Sequence, residues 1–283
     1  MIKSITKDIL KDIKSCYQAQ KPEHYIDIDE TIYKQLSFAL IDQSYVSIDE
    51  EITGFAIIYP YDNNIVLNPW FFGGLPIGQN QEERMNECLD YFKTSSYSRL
   101  EIIGIKDELQ TKNIPIPFAY DYANLEKIIF GEHESIGEFI ALKEVQEDLL
   151  KDIYHKAFLN GDAKFYQYQD EDEKKAFWKH LRYDLAVDDP CSIAIKLDDQ
   201  VIGYVITYRE GRKNRHISCM CVLPEYSGKG YGTKLLEQVF YLASLDGDES
   251  ITLGTETTMK AFDLYLKTGF RIKEIYSYYI KMK

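Results

Sequence analysis

The chain has 283 residues, 45% hydrophobic and 28% charged, the composition of a folded globular protein with room for one large domain or two of about 140 residues. Its net charge of −13 argues against nucleic acid as a partner and favours small cations or basic peptides. No run of about 18 apolar residues marks a membrane span, and Met1 to Asp8 show no secretory signal, so a cytoplasmic protein without membrane contact is expected.

In chain order, the first element is a helix-like stretch around Leu10-Lys11-Asp12-Ile13. An acidic turn at Asp49-Glu50-Glu51 then leads into the alternating run Gly54-Phe55-Ala56-Ile57-Ile58-Tyr59, a hairpin pattern. Leu67-Asn68-Pro69 and Gly73 follow, then a helical stretch at 82–93 and a short strand at 100–104. The same text returns about 149 residues later. Leu150-Lys151-Asp152-Ile153 repeats the first helix, and Asp198-Asp199-Gln200 precedes Gly203-Tyr204-Val205-Ile206-Thr207-Tyr208. Val222-Leu223-Pro224 and Gly228 precede a helical stretch at 233–243 and a strand at 251–254. Five correspondences in one order imply two similar domains, 1–135 and 136–283, joined near Gly131-Glu132-His133-Glu134-Ser135. The expected class is α+β, a mixed and mostly antiparallel sheet flanked by helices. Residues 1–136 hold 12 Lys and Arg against 22 Asp and Glu, so ten of the thirteen net negative charges sit there.

The chemistry concentrates in Gly228-Lys229-Gly230-Tyr231-Gly232-Thr233, between a β-branched run and an amphipathic one. Alternate glycines let backbone N–H groups converge at a helix start, where the dipole favours an anion such as pyrophosphate. A P-loop does not fit, because Lys229 follows the first glycine. A dinucleotide fingerprint does not fit either, because the third glycine comes one residue early after hairpin strands. A glycine turn without a ligand stays open on composition alone. The five cysteines are scattered and odd in number, which implies reduced thiols. Cys219 and Cys221 share a strand face without a second Cys or His pair nearby, so no metal site is expected.

Val222-x-Pro224-x-x-x-Gly228-x-Gly230-x-Gly232 resembles the acyl-CoA loop of the GNAT superfamily of N-acyltransferases. Thr258-x-x-Ala261-x-x-Leu264-Tyr265-x-x-x-Gly269-Phe270 is similar to the family's second motif, Asn-x-x-Ala-x-x-Leu-Tyr-x-x-x-Gly-Phe. The resemblance covers about 137–283 and implies acetyl-CoA as acyl donor. It implies that backbone groups of Met220, Cys221 and Val222 align the pantetheine arm. N–H groups of Gly228, Lys229, Gly230, Tyr231, Gly232 and Thr233 would hold the pyrophosphate, with Thr258 beside them. Tyr265 would protonate or stabilise the departing thiolate. Ser227 stands where the family has Arg or Gln, with Lys229 and Lys234 as substitute charges, and Thr258 replaces an Asn.

His216, eleven positions before Ser227, stands where some members carry a catalytic glutamate. A histidine suits the removal of an amine proton near neutral pH. Leu253 occupies another position that carries the base in other members and cannot serve; Glu256 is the fallback. The stretch from Phe165 to Asp172 mixes aromatic and acidic residues in a region that often shapes the acceptor pocket, which suits a cationic small molecule or peptide amine. In the first half, Trp70-Phe71-Phe72-Gly73-Gly74 replaces the glycine loop, so that domain is expected not to bind CoA. The expected reaction is acetyl transfer from acetyl-CoA to an amine by direct attack. The alternatives are acylation of a thiol precursor, or a non-catalytic protein that binds acyl-CoA or a partner.

Overall fold

The computed structural model describes residues 1–20, 45–48, 51–61, 64–67, 75–129, 138–159, 163–169 and 171–283. They form two compact units, Met1–Ala119 with Tyr276–Lys283, and Tyr120–Ile275. The fold is α+β, with mostly antiparallel strands and flanking helices.

The first unit contains β1 (Ile2–Ser4), α1 (Lys7–Gln20), β2 (Tyr45–Ile48), β3 (Gly54–Tyr61), β4 (Asn64–Leu67) and β5 (Ile77–Gly78). It continues with α2 (Gln81–Thr94), β6 (Arg99–Ile105) and α3 (Lys106–Gln110). Strands β2, β3 and β4 pair antiparallel in turn, and β6 pairs parallel to β4 after the crossover through α2. Alternation along β3 sends Phe55 and Ile57 to one core cluster and Ala56 and Ile58 to the other. Met85, Cys88, Leu89 and Phe92 recur at helical spacing and close the second cluster from α2.

The second unit takes most of β7 (Phe118–Ile128), then β8 (Phe139–Ala141), α4 (Glu147–Leu159), α5 (Glu171–His180) and α6 (Tyr183–Ala186). The strands β9 (Ile193–Leu197), β10 (Gln200–Arg209) and β11 (Asn214–Val222) lead to α7 (Tyr231–Leu245), β12 (Ser250–Glu256), α8 (Lys260–Lys267) and β13 (Arg271–Met282). Sheet order in this unit is β7-β12-β11-β10-β9-β8, and among its described residues only β11 and β12 pair parallel. Asp198 and Asp199 both adopt positive φ between β9 and β10, as a two-residue hairpin turn requires. One face of this sheet packs Leu235, Leu236, Val239 and Phe240 of α7 and Tyr265 of α8, and the other packs Leu150, Ile153 and Tyr154 of α4.

The units depart from the expected division at residue 135 in two places. Residues 120–129 belong to the second unit because β7 pairs antiparallel with β12, from Ser250↔Ile128 to Glu256↔Tyr122. The last eight residues belong to the first, where β13 pairs antiparallel with β6 from Tyr276↔Ile105 to Met282↔Arg99. The expected join at 131–135 and the aromatic stretch at 70–74 lie outside the described residues.

Candidate active site

Strands β11 and β12 pair only from Asn214↔Ser250 to Ile217↔Leu253 and then part, while β10 follows β11 to Gly203↔Val222. The cause is a bulge. Ile206 pairs with Cys219 but Thr207 pairs with Ile217, which leaves Ser218 over. Its hydroxyl donates to the Leu181 carbonyl at 2.8 Å. The extra residue reverses the strand's parity. Ile217 belongs to the α7 cluster, Cys219 and Cys221 turn to the α4 cluster, and Met220 and Val222 return to the α7 side. Among the described residues no strand pairs with the β12-facing edge of 218–222. An extended, amide-containing arm can add there as a strand does.

At the mouth of this slot lies the glycine loop. Gly228 and Gly230 have φ of +74° and +88°, a region that costs other residues about 1–2 kcal/mol. Gly230 is the N-cap of α7 without a side-chain cap, and the first turn closes where the Lys234 N–H donates to the Gly230 carbonyl at 3.1 Å. The N–H groups of 228–233 have no acceptor among the described residues. Gly232 serves packing instead, since a Cβ there would lie 3.0 Å from Leu264 Cδ2 on α8. Lys229 and Lys234 hold their ammonium groups over the rings of Tyr226 and Tyr231, at 5.4 and 5.5 Å, so two cations flank the loop. Unmet donors, positive charge and a helix start fit a pyrophosphate.

Tyr265 stands on α8, and its sequence motif has a backbone explanation. The Phe270 N–H donates to the Tyr265 carbonyl at 3.0 Å and the Gly269 N–H to the Leu266 carbonyl at 3.1 Å. With φ of +93° at Gly269, this is a Schellman ending, and the Phe270 ring packs edge-on to Tyr265 at 5.7 Å. Lys127 of β7 adds a cation at this helix end, donating to the Thr268 carbonyl at 3.0 Å. Burial pushes the Tyr265 phenol well above its ordinary value, helped by Cys219, Tyr122 and Cys221 nearby. Its hydroxyl has no hydrogen-bond partner among the described residues.

His216 lies on the closed part of the β11–β12 pair, in a row running from Tyr208 of β10 through His216 and Thr252 to Glu126 of β7. Its Nδ1 is 3.0 Å from Thr252 Oγ1, which is 3.2 Å from Glu210 Oε2. When Thr252 donates to Glu210, Nδ1–H donates to Thr252 and the Nε2 lone pair stays available. Burial lowers the His216 pKa and Glu210 opposes the shift, so the ring is neutral at neutral pH.

Leu253 is buried in the α7 cluster. Glu256 is also buried; its carboxylate accepts the Lys164 and Phe165 N–H groups at 2.9 and 2.7 Å, pinning a 3₁₀ turn at Lys164–Tyr168. Burial raises its pKa. The exposed Thr258 hydrogen-bonds this carboxylate, so its hydroxyl serves the clamp. Met220, Cys221, Val222, the glycine loop and Tyr265 thus surround one slot, while His216 sits at the slot's closed end. Tyr122, which contributes to the shift of Tyr265, was invisible in the sequence reading because its place depends on the long-range pairing of β7. Among the described residues, no group of His, Cys, Asp and Glu could hold a metal ion, and no helix is long and apolar enough to cross a membrane.

A bulged strand parting from its parallel neighbour, with bare helix N–H groups at the opening, is the setting a pyrophosphate-bearing ligand with an amide arm would fit. Residues 148–270 match the sequence model of the Acetyltransferase (GNAT) family, which places a GNAT acetyltransferase domain in that segment. No curated protein matches the chain. Among solved structures, it is similar to a GCN5-related N-acetyltransferase from Sphaerobacter thermophilus (TM-score 0.61, 10% identity, covering 100% of this chain and 95% of that one). It is also similar to a GCN5-related glucosamine N-acetyltransferase region of a fungal multi-domain GH3 β-N-acetylglucosaminidase (TM-score 0.61, 13% identity), covering 99% of this chain but 38% of that one. A GNAT-family acetyltransferase from Colwellia psychrerythraea aligns over 99% of this chain and 100% of its own (TM-score 0.50, 11% identity). At such identities the likeness is one of fold.

Proposed function

We propose that the protein is an acetyl-CoA-dependent N-acetyltransferase that passes an acetyl group directly to an amine. The observation that carries this reading is the run of unmet N–H groups at 228–233 beside the open edge of β11. Acetyl-CoA, as substrate, supplies the activated acyl group. The loop N–H groups hold its pyrophosphate, aided by Lys229 and Lys234, and the edge of Met220, Cys221 and Val222 aligns its amide arm. His216 takes the proton from the attacking nitrogen through Nε2, and Tyr265 gives a proton to the departing sulfur. The raised pKa of Tyr265 supports an acid that stays protonated until a thiolate forms beside it.

The acceptor is read as a cationic small-molecule or peptide amine, supported by Glu126 and Glu210 near His216 and by the chain's negative charge. The first unit is read as a degenerate GNAT-like domain. Support comes from its strand pattern, since β2-β3-β4, a helix and parallel β6 repeat β9-β10-β11, α7 and parallel β12. A screen of amines, peptides and thiols for CoA release from acetyl-CoA tests the reaction. Amine-dependent release supports it; thiol-only release assigns a thiol acceptor, and binding without release makes the protein non-catalytic. A melting temperature unmoved by millimolar acetyl-CoA refutes the donor assignment.

A further inference from the structure

Gly254 is the first residue of β12 beyond the last parallel pair, Ile217↔Leu253, and so marks the point where the slot opens. A Cβ at this position would lie 2.4 Å from both the hydroxyl oxygen and Cε1 of Tyr122. The glycine therefore leaves room for the edge of a phenol against the backbone at the apex of the slot. Tyr122 pairs with Glu256, and its ring leans back along β12 over residue 254. Its neighbours Ala123 and Leu125 alternate with it. Ala123 and Leu125 enter the α7 cluster with Tyr265, which puts Tyr122 on the opposite face of the sheet. The two phenols flank the slot from its two sides.

Resting on the acetyltransferase reading, we propose that Tyr122 is a second catalytic phenol, donating a hydrogen bond to the thioester carbonyl oxygen as that oxygen gains negative charge. Burial, and secondarily the Glu256 carboxylate, push Tyr122 up to about 12, so it remains a donor and does not act as a base. In the step itself, the amine lone pair forms the N–C bond and the carbonyl π pair moves to oxygen. Tyr122 keeps its proton and stabilises that oxygen. When the pair returns, the C–S bond breaks with its electrons on sulfur, which takes the proton of Tyr265. The nitrogen's proton leaves through His216, and solvent restores both side chains. Amide and free thiol are the products, with all protons accounted for.

The test is isotope-edited infrared spectroscopy of [1-¹³C]acetyl-CoA bound to the full-length protein, with turnover measured in parallel. A hydrogen-bonded carbonyl absorbs at lower frequency than in free acetyl-CoA. The wild type and Tyr265→Phe should show the lowered band, and Tyr122→Phe should return it toward the free value. In turnover, Tyr122→Phe should reduce kcat on the order of 100-fold while leaving KM for acetyl-CoA nearly unchanged. Circular dichroism and melting temperature check the fold of this near-isosteric variant. If it fails to fold, Gly254→Ala carries the test, because the added methyl displaces the ring while Tyr122 keeps its hydroxyl; it too should lose the lowered band. A lowered band that survives in Tyr122→Phe overturns the inference and leaves the acetyltransferase reading intact. Failure of the wild type to bind acetyl-CoA overturns both.

Discussion

Replacing Arg215 tests how the closed end of the slot is held. Arg215 precedes the bulged Ser218 by three residues and pairs with Ile251 of β12. Its side chain is 1% exposed, and its Nε donates to Asp248 Oδ2 at 2.6 Å, while the other guanidinium nitrogens reach Asp189 and Asp246. Arg215→Met fills much of the same volume but strands Asp248, whose side chain is fully buried. Removing one partner of a buried ion pair costs about 3–5 kcal/mol. Asp246 is 37% exposed and can turn to water, and Arg209 still lies 3.2 Å from Asp248. These two compensations put the expected loss at the lower end, about 3 kcal/mol. Urea denaturation followed by circular dichroism at neutral pH reads this loss. A loss under about 1 kcal/mol refutes the account.

Three further substitutions address the proposed chemistry. Tyr265→Phe should lower kcat by about 100-fold or more while acetyl-CoA binding, measured by calorimetry, stays nearly constant; unchanged kcat removes Tyr265 from the reaction. Gly230→Ala forces a side chain into φ of +88°, so it should cost about 1–2 kcal/mol and weaken acetyl-CoA binding, and a variant as stable as the wild type would show that the loop relaxes freely. For His216, whose pKa is lowered by burial, the acid limb of kcat/KM should fall below the ordinary histidine value and disappear in His216→Gln; a persisting limb assigns the base elsewhere. The same lowered pKa means the unfolded chain binds this proton first. His216 should thus cost stability as pH falls from about 6.5 through its folded value, and His216→Gln should remove that slope.

The legible parts of the site were those fixed by local backbone demands. Gly228, Gly230 and Gly269 all stand at positive φ, and Asp198-Asp199 sit in a tight turn, so each left a mark in a few consecutive letters. The Tyr265-x-x-x-Gly269-Phe270 motif is the sequence trace of one helix ending. Other features had no local mark. Alternation reads Cys219 and Cys221 as facing with Ile217, and only the pairing partner β10 reveals the extra residue that turns them away. Glu256 suggested a base until its two backbone donors, about ninety positions earlier in the chain, came into view. Thr258 took its place in the motif from spacing, whereas its hydroxyl answers to Glu256.

The pairing of β7 bears most directly on how the chain is organised. Tyr122, Ala123, Asn124 and Leu125 alternate as any half-buried strand does, and that pattern names no partner. Chain order favours β6 as the neighbour, whereas β7 pairs with β12. Along that strand Ala123 and Leu125 complete the cluster around Ile251 and Leu253, and Lys127 holds the end of the helix that presents Tyr265. The motif-bearing segment 148–270 lacks all three, and without β7 the outer edge of β12 would be bare. Residues 276–283 meanwhile complete the sheet at β6. Each unit therefore takes in chain from the far side of the expected division at residue 135. Strand β7, which precedes the motif-bearing segment in the chain, is part of the scaffold of the proposed site.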